Sequence, residues 1–374
     1  MKTSLDMHNT VTGRQLERIL SLQLDALEKN PSLAKTLPPL MVWGAPGLGK
    51  SSIIRQAAED RGIGFIDVRL AQREPVDIRG LPVPGPDGVK WLVSSDWPRD
   101  PASRGIILFD ELTAADRSLQ VAAYEFILDR RLGELYRVPD GWYICAAGNR
   151  TEDRAVAATM SSALANRFLH VELGGDVESW IAWARKNDIR PCVTAFVRFR
   201  PEMLFRQEGE NLERGWPSPR SWERVSRMLD VTEGEDEELQ RSVVHGIVGD
   251  RAGVEFMEFR KLSEQFDDVR KLMLDPSAEI SVPQRADLKY ALCSAVAYHV
   301  WRGEGAEESR ALLDGFYRIC TALPSDFASM LMTDAMSGSK GLSREEACER
   351  LFASPGYKAW AKKHGTALRK HVAL

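Results

Sequence analysis

The chain has 374 residues, of which 44% are apolar and 28% charged, and a formal net charge of -4. That length indicates two or three domains with real cores, and the weak negative balance supplies no global basic field for nucleic acid. The five cysteines (Cys145, Cys192, Cys293, Cys320 and Cys348) form no CxxC pair, which argues against a disulfide framework or zinc site and for a reducing, cytoplasmic setting.

At the N-terminus, MKTSLDMHNTVTGRQ lacks the apolar core of a signal peptide, and no uncharged apolar run approaches the ~18 residues of a membrane span. Residues 13–29 place Leu16, Ile19, Leu20, Leu24 and Leu27 on one face at helical spacing, and Asn30-Pro31 ends the pattern. After Pro38-Pro39, the apolar run 40–43 reads as a buried strand. Similar runs recur at 63–69, 105–109, 142–147 and 168–173, with helical patterns at 50–61 and 116–131 between them. Short buried strands alternating with helices predict a mainly parallel α/β sheet over 38–174. Beyond Gly174-Gly175 the strand signals stop. The remainder reads as helical, broken at Pro191, Pro201, Pro217, Pro219, Pro276 and Pro283, with the acidic TEGEDEE at 232–238 as a solvated loop and helix start.

Chemistry enters at GAPGLGKS, residues 44–51, which fits G-x-x-x-x-G-K-[ST] between a strand and a helix. Such a loop (Gly44, Ala45, Pro46, Gly47, Leu48 and Gly49) turns backbone N–H groups inward around phosphate oxygens, and the following helix, from Lys50 through Ser51 and Ser52, adds its positive end. Lys50 is expected to reach the β- and γ-phosphates of ATP and Ser51 to ligate Mg²⁺. In IILFDEL, 106–112, an apolar strand ends in two carboxylates, at the end that faces the ligand crevice of a parallel sheet. Asp110 is expected to hold Mg²⁺ through its water shell and Glu111 to polarise an attacking water. WYICAAGN, 142–149, ends another strand in Asn149, whose amide would orient that water or touch the γ-phosphate.

The ordered set GAPGLGKS, IILFDEL, CAAGN, LANRF and SPRSW resembles the AAA+ ATPases of the MoxR branch, and EPVDIRGLP at 74–82 resembles the opening of that clade's helix-2 insert. The likeness spans roughly 38–250; residues 251–374 carry no motif that belongs to it. It implies an αβα nucleotide domain with sheet order 5-1-4-3-2, an all-helical lid, and a hexameric ring of identical subunits with ATP at the interfaces. The expected organisation is an N-terminal helix at 1–37, the nucleotide-binding domain at 38–175, the lid at 176–250 and a helical C-terminal region at 251–374. By the same resemblance Arg167 in LANRF matches the arginine finger, with Arg154 as its rival, and Arg220 matches the lid's sensor-2 arginine, with Trp216 and Trp222 able to pack around it. The implied work is ATP hydrolysis coupled to remodelling a protein client, often one with a von Willebrand A domain or a metal cofactor. The alternative is a nucleic-acid motor or restriction-type NTPase of a neighbouring branch. The choice between ATP and GTP stays open.

Two stretches, 81–101 and 131–144, read as hairpins, either projecting toward the ring pore or one rim, as the resemblance implies, or plainly structural. Lys90, Trp91, Leu135 and Tyr136 are the candidate contact residues. The basic stretch 358–371 reads as a solvated helix face, with a patch for nucleic acid or an acidic partner as the alternative, because aromatics are not interleaved with its charges.

Overall fold

A computed structural model describes residues 10–86, 88–150, 160, 162–207, 214–263, 268–339 and 341–372. The chain divides into two units, one ending at Asp176 and one beginning at Val177.

In chain order, the first unit runs β1 (Thr10–Val11), α1 (Gly13–Lys29), β2 (Leu40–Trp43), α2 (Lys50–Glu59), β3 (Gly64–Arg69), α3 (Pro75–Arg79), β4 (Leu81–Gly85) and β5 (Gly88–Leu92). It continues with β6 (Gly105–Asp110), α4 (Arg117–Asp129), β7 (Arg131–Leu132), β8 (Tyr136–Arg137), β9 (Trp142–Gly148), α5 (Ser162–Ala165) and β10 (Leu169–Leu173). Six strands form one sheet in the order β1-β10-β2-β9-β6-β3, and every neighbouring pair is parallel. Without β1 this is the 5-1-4-3-2 order implied by the resemblance. β1 is an addition: two residues, Thr10 and Val11, pair with Glu172 and Leu173 at the sheet edge. No periodicity signals a strand that short.

Alternation along the strands explains why they read as continuous apolar runs. Leu40, Val42, Ile106, Leu108, Cys145 and Ala147 face a core closed by Leu16, Leu20, Leu24 and Leu27 of α1 and Ile54 of α2. Met41, Ile107, Phe109, Ile144 and Ala146 face the opposite way, into a core closed by Ala123, Phe126 and Ile127 of α4. Successive side chains alternate across a strand, so a sheet covered on both faces is apolar at every position. α1 starts on a capping box: Thr12 Oγ1 accepts from Gln15 N at 3.2 Å, and Gln15 Oε1 accepts from Thr12 N at 2.9 Å.

The second unit is helical, as expected. Its elements are α6 (Val177–Lys186), α7 (Pro191–Phe199), α8 (Pro219–Val231), α9 (Glu237–Val248), α10 (Asp250–Ser263), α11 (Val269–Leu274), α12 (Ala286–His299), α13 (Ala306–Ala322), α14 (Ser325–Met336), α15 (Arg344–Ala353) and α16 (Pro355–Val372). The starts are legible in the sequence. Ser218 caps α8 by accepting from Ser221 N at 3.1 Å, with Pro219 at the first helical position, and Asp236 caps α9 by accepting from Leu239 N at 2.7 Å. One core gathers around Phe196, Trp222 and Phe256, another around Phe316, Leu331 and Trp360. α12 serves both, giving Ala291 to the first and Leu292, Cys293 and Val296 to the second. On α16, Trp360 and His364 are buried one turn apart while Lys358, Lys362 and Lys363 face solvent.

Between α14 and the pair α6–α7 lies a buried ionic cluster. Asp334 is 2% exposed and is bonded to both Arg185 and Arg198; Arg198 Nη2 donates to Asp334 Oδ1 at 2.7 Å and to Glu178 Oε2 at 2.9 Å. Burial pushes the Asp334 carboxyl up, but Arg185 and Arg198 outweigh it and hold the group below its ordinary value.

Candidate nucleotide-binding site

The loop from Gly44 to Gly49 joins β2 to α2 and turns on glycines. Gly47 and Gly49 sit at φ 86° and 95°, a region that disfavours any Cβ, and a Cβ on Gly44 would lie 2.9 Å from Leu173 O. Ala45 is buried, Leu48 packs on the α1-side core, and Ser52 is exposed on α2. Lys50 is buried at the foot of the loop. Its Nζ donates to Gly44 O at 2.6 Å, Ala45 O at 3.1 Å and Asn149 Oδ1 at 3.0 Å. An ammonium folded onto weak carbonyl acceptors is poised to exchange them for phosphate oxygens, which bind a cation more strongly.

The neighbouring strands bring the other groups to the same end of the sheet. Asp110 closes β6, and its Oδ2 accepts a hydrogen bond from Ser51 Oγ, while Oδ1 accepts from Glu111 N at 2.9 Å. Glu111 stands at φ 56°, a left-handed conformation uncommon for a residue with a Cβ and found at functional turns. Asn149 follows β9, which lies between β2 and β6. Lys50–Asn149 and Ser51–Asp110 are therefore two hydrogen-bonded pairs that tie the first two residues of α2 to the ends of the adjacent strands β9 and β6.

Three groups that sequence reasoning missed complete the geometry. Thr113, 2% exposed, accepts from Asn149 N and donates to Asn149 O through one hydroxyl, both at 3.1 Å. Together with the bond from Leu112 N to Ala147 O at 3.0 Å, this clamps the end of β9 to the turn carrying the acidic pair. Gly148 lets that clamp close, because a Cβ there would lie 2.8 Å from both Thr113 Oγ1 and Met41 Cε. Asp67 on β3 places a third carboxyl nearby. Burial and then the Asp110 charge push its pKa up, opposed by Arg69 and Arg55, the latter bonded to Asp67 Oδ2 at 3.1 Å. Its signal was available: an Asp set between the apolar Phe65, Ile66 and Val68 of β3.

For a metal, Ser51 and Asp110 fit Mg²⁺, which takes one or two protein ligands and fills its shell with water and phosphate oxygens. Among the described residues no group of three His, Cys, Asp or Glu side chains is arranged to hold a metal unaided.

The arginines are separately placed. Arg167 is exposed on the turn after α5, its N–H bonded to Leu164 O at 3.1 Å. Arg154 lies outside the described residues. Arg220 belongs to the second unit and is exposed at the start of α8. Trp222 does not pack around it. Two positions along a helix point apart, and Trp222 is fully buried between Phe196 and Phe256, its Nε1 bonded to Met203 O at 2.6 Å.

Both expected hairpins exist, as β4–β5 and β7–β8. In the first, Leu81, Val89, Lys90, Trp91 and Leu92 are exposed. The second corrects the expectation for Tyr136. Leu135 is exposed, but the Tyr136 ring is buried, stacked on Phe126 at 5.8 Å, with its hydroxyl donating to Pro98 O at 2.8 Å. Proline and glycine made the loop look projecting, but the aromatic at its base found a core partner.

No protein-family model matches the chain. Midasin from Giardia intestinalis is 26% identical over 173 residues, a stretch that is 42% of this chain and 4% of Midasin. Among solved structures, NtrX from Brucella abortus is similar at a TM-score of 0.36 and 16% identity, covering 94% of this chain and 69% of that one. The Thermotoga maritima RuvB Holliday junction branch migration motor is similar at 0.36 and 15%, covering 69% and 76%. No helix among the described residues is long and apolar enough to cross a membrane.

Proposed function

We propose that this chain is a Mg²⁺-dependent ATPase of the AAA+ type. The observation that supports it is the two bonded pairs Lys50–Asn149 and Ser51–Asp110, which join the start of α2 to the carboxyl ends of two adjacent parallel strands beside a loop of left-handed glycines. In this reading the loop's N–H groups and the start of α2 receive the phosphates. Lys50 leaves its carbonyls for the β- and γ-oxygens, and Ser51 and Asp110 would hold Mg²⁺, which would supply neutralising charge to the phosphates. Glu111 takes the proton of the attacking water as general base, and Asn149, fixed by Thr113, orients that water. A carboxylate beside the metal-binding Asp favours water over another acceptor.

The finer reading is a MoxR-type ring of identical subunits, hexameric by resemblance, in which Arg167 of one copy neutralises charge at its neighbour's γ-phosphate and Arg220 serves from the lid. Its work is the remodelling of a protein client, with the exposed β4–β5 hairpin as contact surface, and a von Willebrand A domain protein is the first candidate to test. Glu111→Gln is the central experiment. It should bind ATP with wild-type affinity and lose turnover by about a hundredfold or more, the scale of a missing general base. Near-normal hydrolysis would move the base elsewhere. The same variant, held in its ATP state, is the bait for capturing the client.

A further inference from the structure

Behind the phosphate loop, a second set of bonds runs from the loop to the turn that carries Arg167. Trp43 closes β2 directly before Gly44. Its indole Nε1 donates to His170 Nδ1 at 2.8 Å, and the two rings meet edge to edge, nearly coplanar, with centroids 6.0 Å apart and 16° between planes. At the opposite side of the imidazole, Nε2 lies 2.7 Å from Ala165 O. An indole N–H only donates and a carbonyl only accepts, so these two partners select one tautomer: Nδ1 accepts and Nε2 donates. Ala165 is the last residue of α5, and Arg167 stands two residues on. Phe168 meets the imidazole near edge-on at 6.0 Å. A parallel tie joins the same strand to the Asn149 segment, since Arg150 is ion-paired with Glu172, the β10 residue in register with Trp43.

We propose that His170 is a positioning residue for ATP hydrolysis, linking the phosphate loop of one subunit to the Arg167 turn which that subunit presents to its neighbour. The inference rests on the reading of Arg167 as the arginine acting in trans. Its physical basis is what a histidine does here that another ring does not. The imidazole packs against Phe168, which phenylalanine would also do, but it adds two directional bonds, to Trp43 and Ala165, at opposite sides of the ring. α5 has four residues, too few to hold a helix by propagation alone, so anchors outside it decide where it sits. Leu164, buried in the α4-side core, is one anchor, and the bond from His170 to Ala165 is another. Any movement of Trp43 as phosphate engages Gly44 and Lys50 is passed through a rigid ring to the base of the Arg167 turn.

The test separates the arginine presented from the site owned. His170→Phe should melt near the wild type and bind ATP within about threefold, yet hydrolyse it about tenfold more slowly, a barrier change of ~1.4 kcal/mol. Mixed with Glu111→Gln subunits, whose Arg167 turn is intact, His170→Phe subunits should recover activity that neither variant has alone. Trp43→Phe, which removes the indole N–H together with the five-membered ring, should show a loss in the same direction. Should His170→Phe fold poorly, His170→Gln keeps a donor for Ala165 O and should fall between it and the wild type in turnover at unchanged ATP affinity. Wild-type turnover in the variant that folds overturns the proposal. So does a failure of His170→Phe to be rescued in mixed rings where Arg167→Ala is rescued, because the defect then lies in its own site. If Arg167→Ala is not rescued either, the trans reading of Arg167 falls and this inference with it.

Discussion

At Thr113 a single hydroxyl satisfies both the N–H and the C=O of Asn149, so Thr113→Val leaves two backbone groups without that partner. Buried groups so stranded cost ~1–3 kcal/mol each. Thr113→Val should therefore lower the melting temperature and cut the turnover rate while ATP affinity holds, since the loop is untouched and Lys50 keeps its bonds to Gly44 O and Ala45 O; titration calorimetry beside steady-state kinetics would show the split. Unchanged turnover would mean that Asn149 needs no clamp. This residue also marks the limit of reading at its scale. Lys50, Ser51, Asp110 and Asn149 were legible because phosphate and magnesium demand particular side chains at strand ends. Thr113 and His170 were not, because each acts through partners distant in sequence, 36 residues away for Thr113 and 127 for Trp43 of His170.

Among the elements, the central strands were legible because burial on both faces makes them unbroken apolar runs. β1 was not, and neither was the fate of Tyr136, which turned on the presence of Phe126 in α4. No pattern announced the Asp334 cluster either, since its arginines stand over a hundred residues earlier, on α6 and α7. Removing one partner of a buried ion pair strands the others. Asp334→Ala should destabilise the second unit by ~3–5 kcal/mol, read as a shift in its urea midpoint, and a loss below ~1 kcal/mol would show that water or Glu178 substitutes for the carboxylate.

For the molecule as a whole, acid should act through His299. Burial, followed by Arg270 and Arg302, lowers its pKa from 6.5 to about 4, and its Nδ1 is buried without a hydrogen-bond partner. Above pH 6.5 the ring is neutral in both states and the native fold keeps its full stability. As pH falls from 6.5 toward 4, the unfolded chain takes up a proton that the folded chain refuses, and stability is lost. His299→Gln should flatten the dependence of melting on pH over that window, by less than about 1.4 kcal/mol per pH unit because the ring is partly solvated. Superimposable profiles would assign the acid sensitivity to other groups.

The same cores store a clock. Cys145 lies in the middle of the sheet, and Cys293 and Cys320 lie in the core around Phe316; burial pushes all three thiols well above their ordinary pKa. Only the thiolate is nucleophilic, so an alkylating probe meets these sulfurs only after the surrounding layer has opened. The labelling rate then counts openings, and because one cysteine belongs to the first unit and two to the second, mass spectrometry of the modified peptides would time each unit separately. ATP should slow the clock at Cys145 if it tightens the sheet that carries its phosphate loop, and an unaltered rate there would mean that nucleotide binding leaves the breathing of that layer as it was.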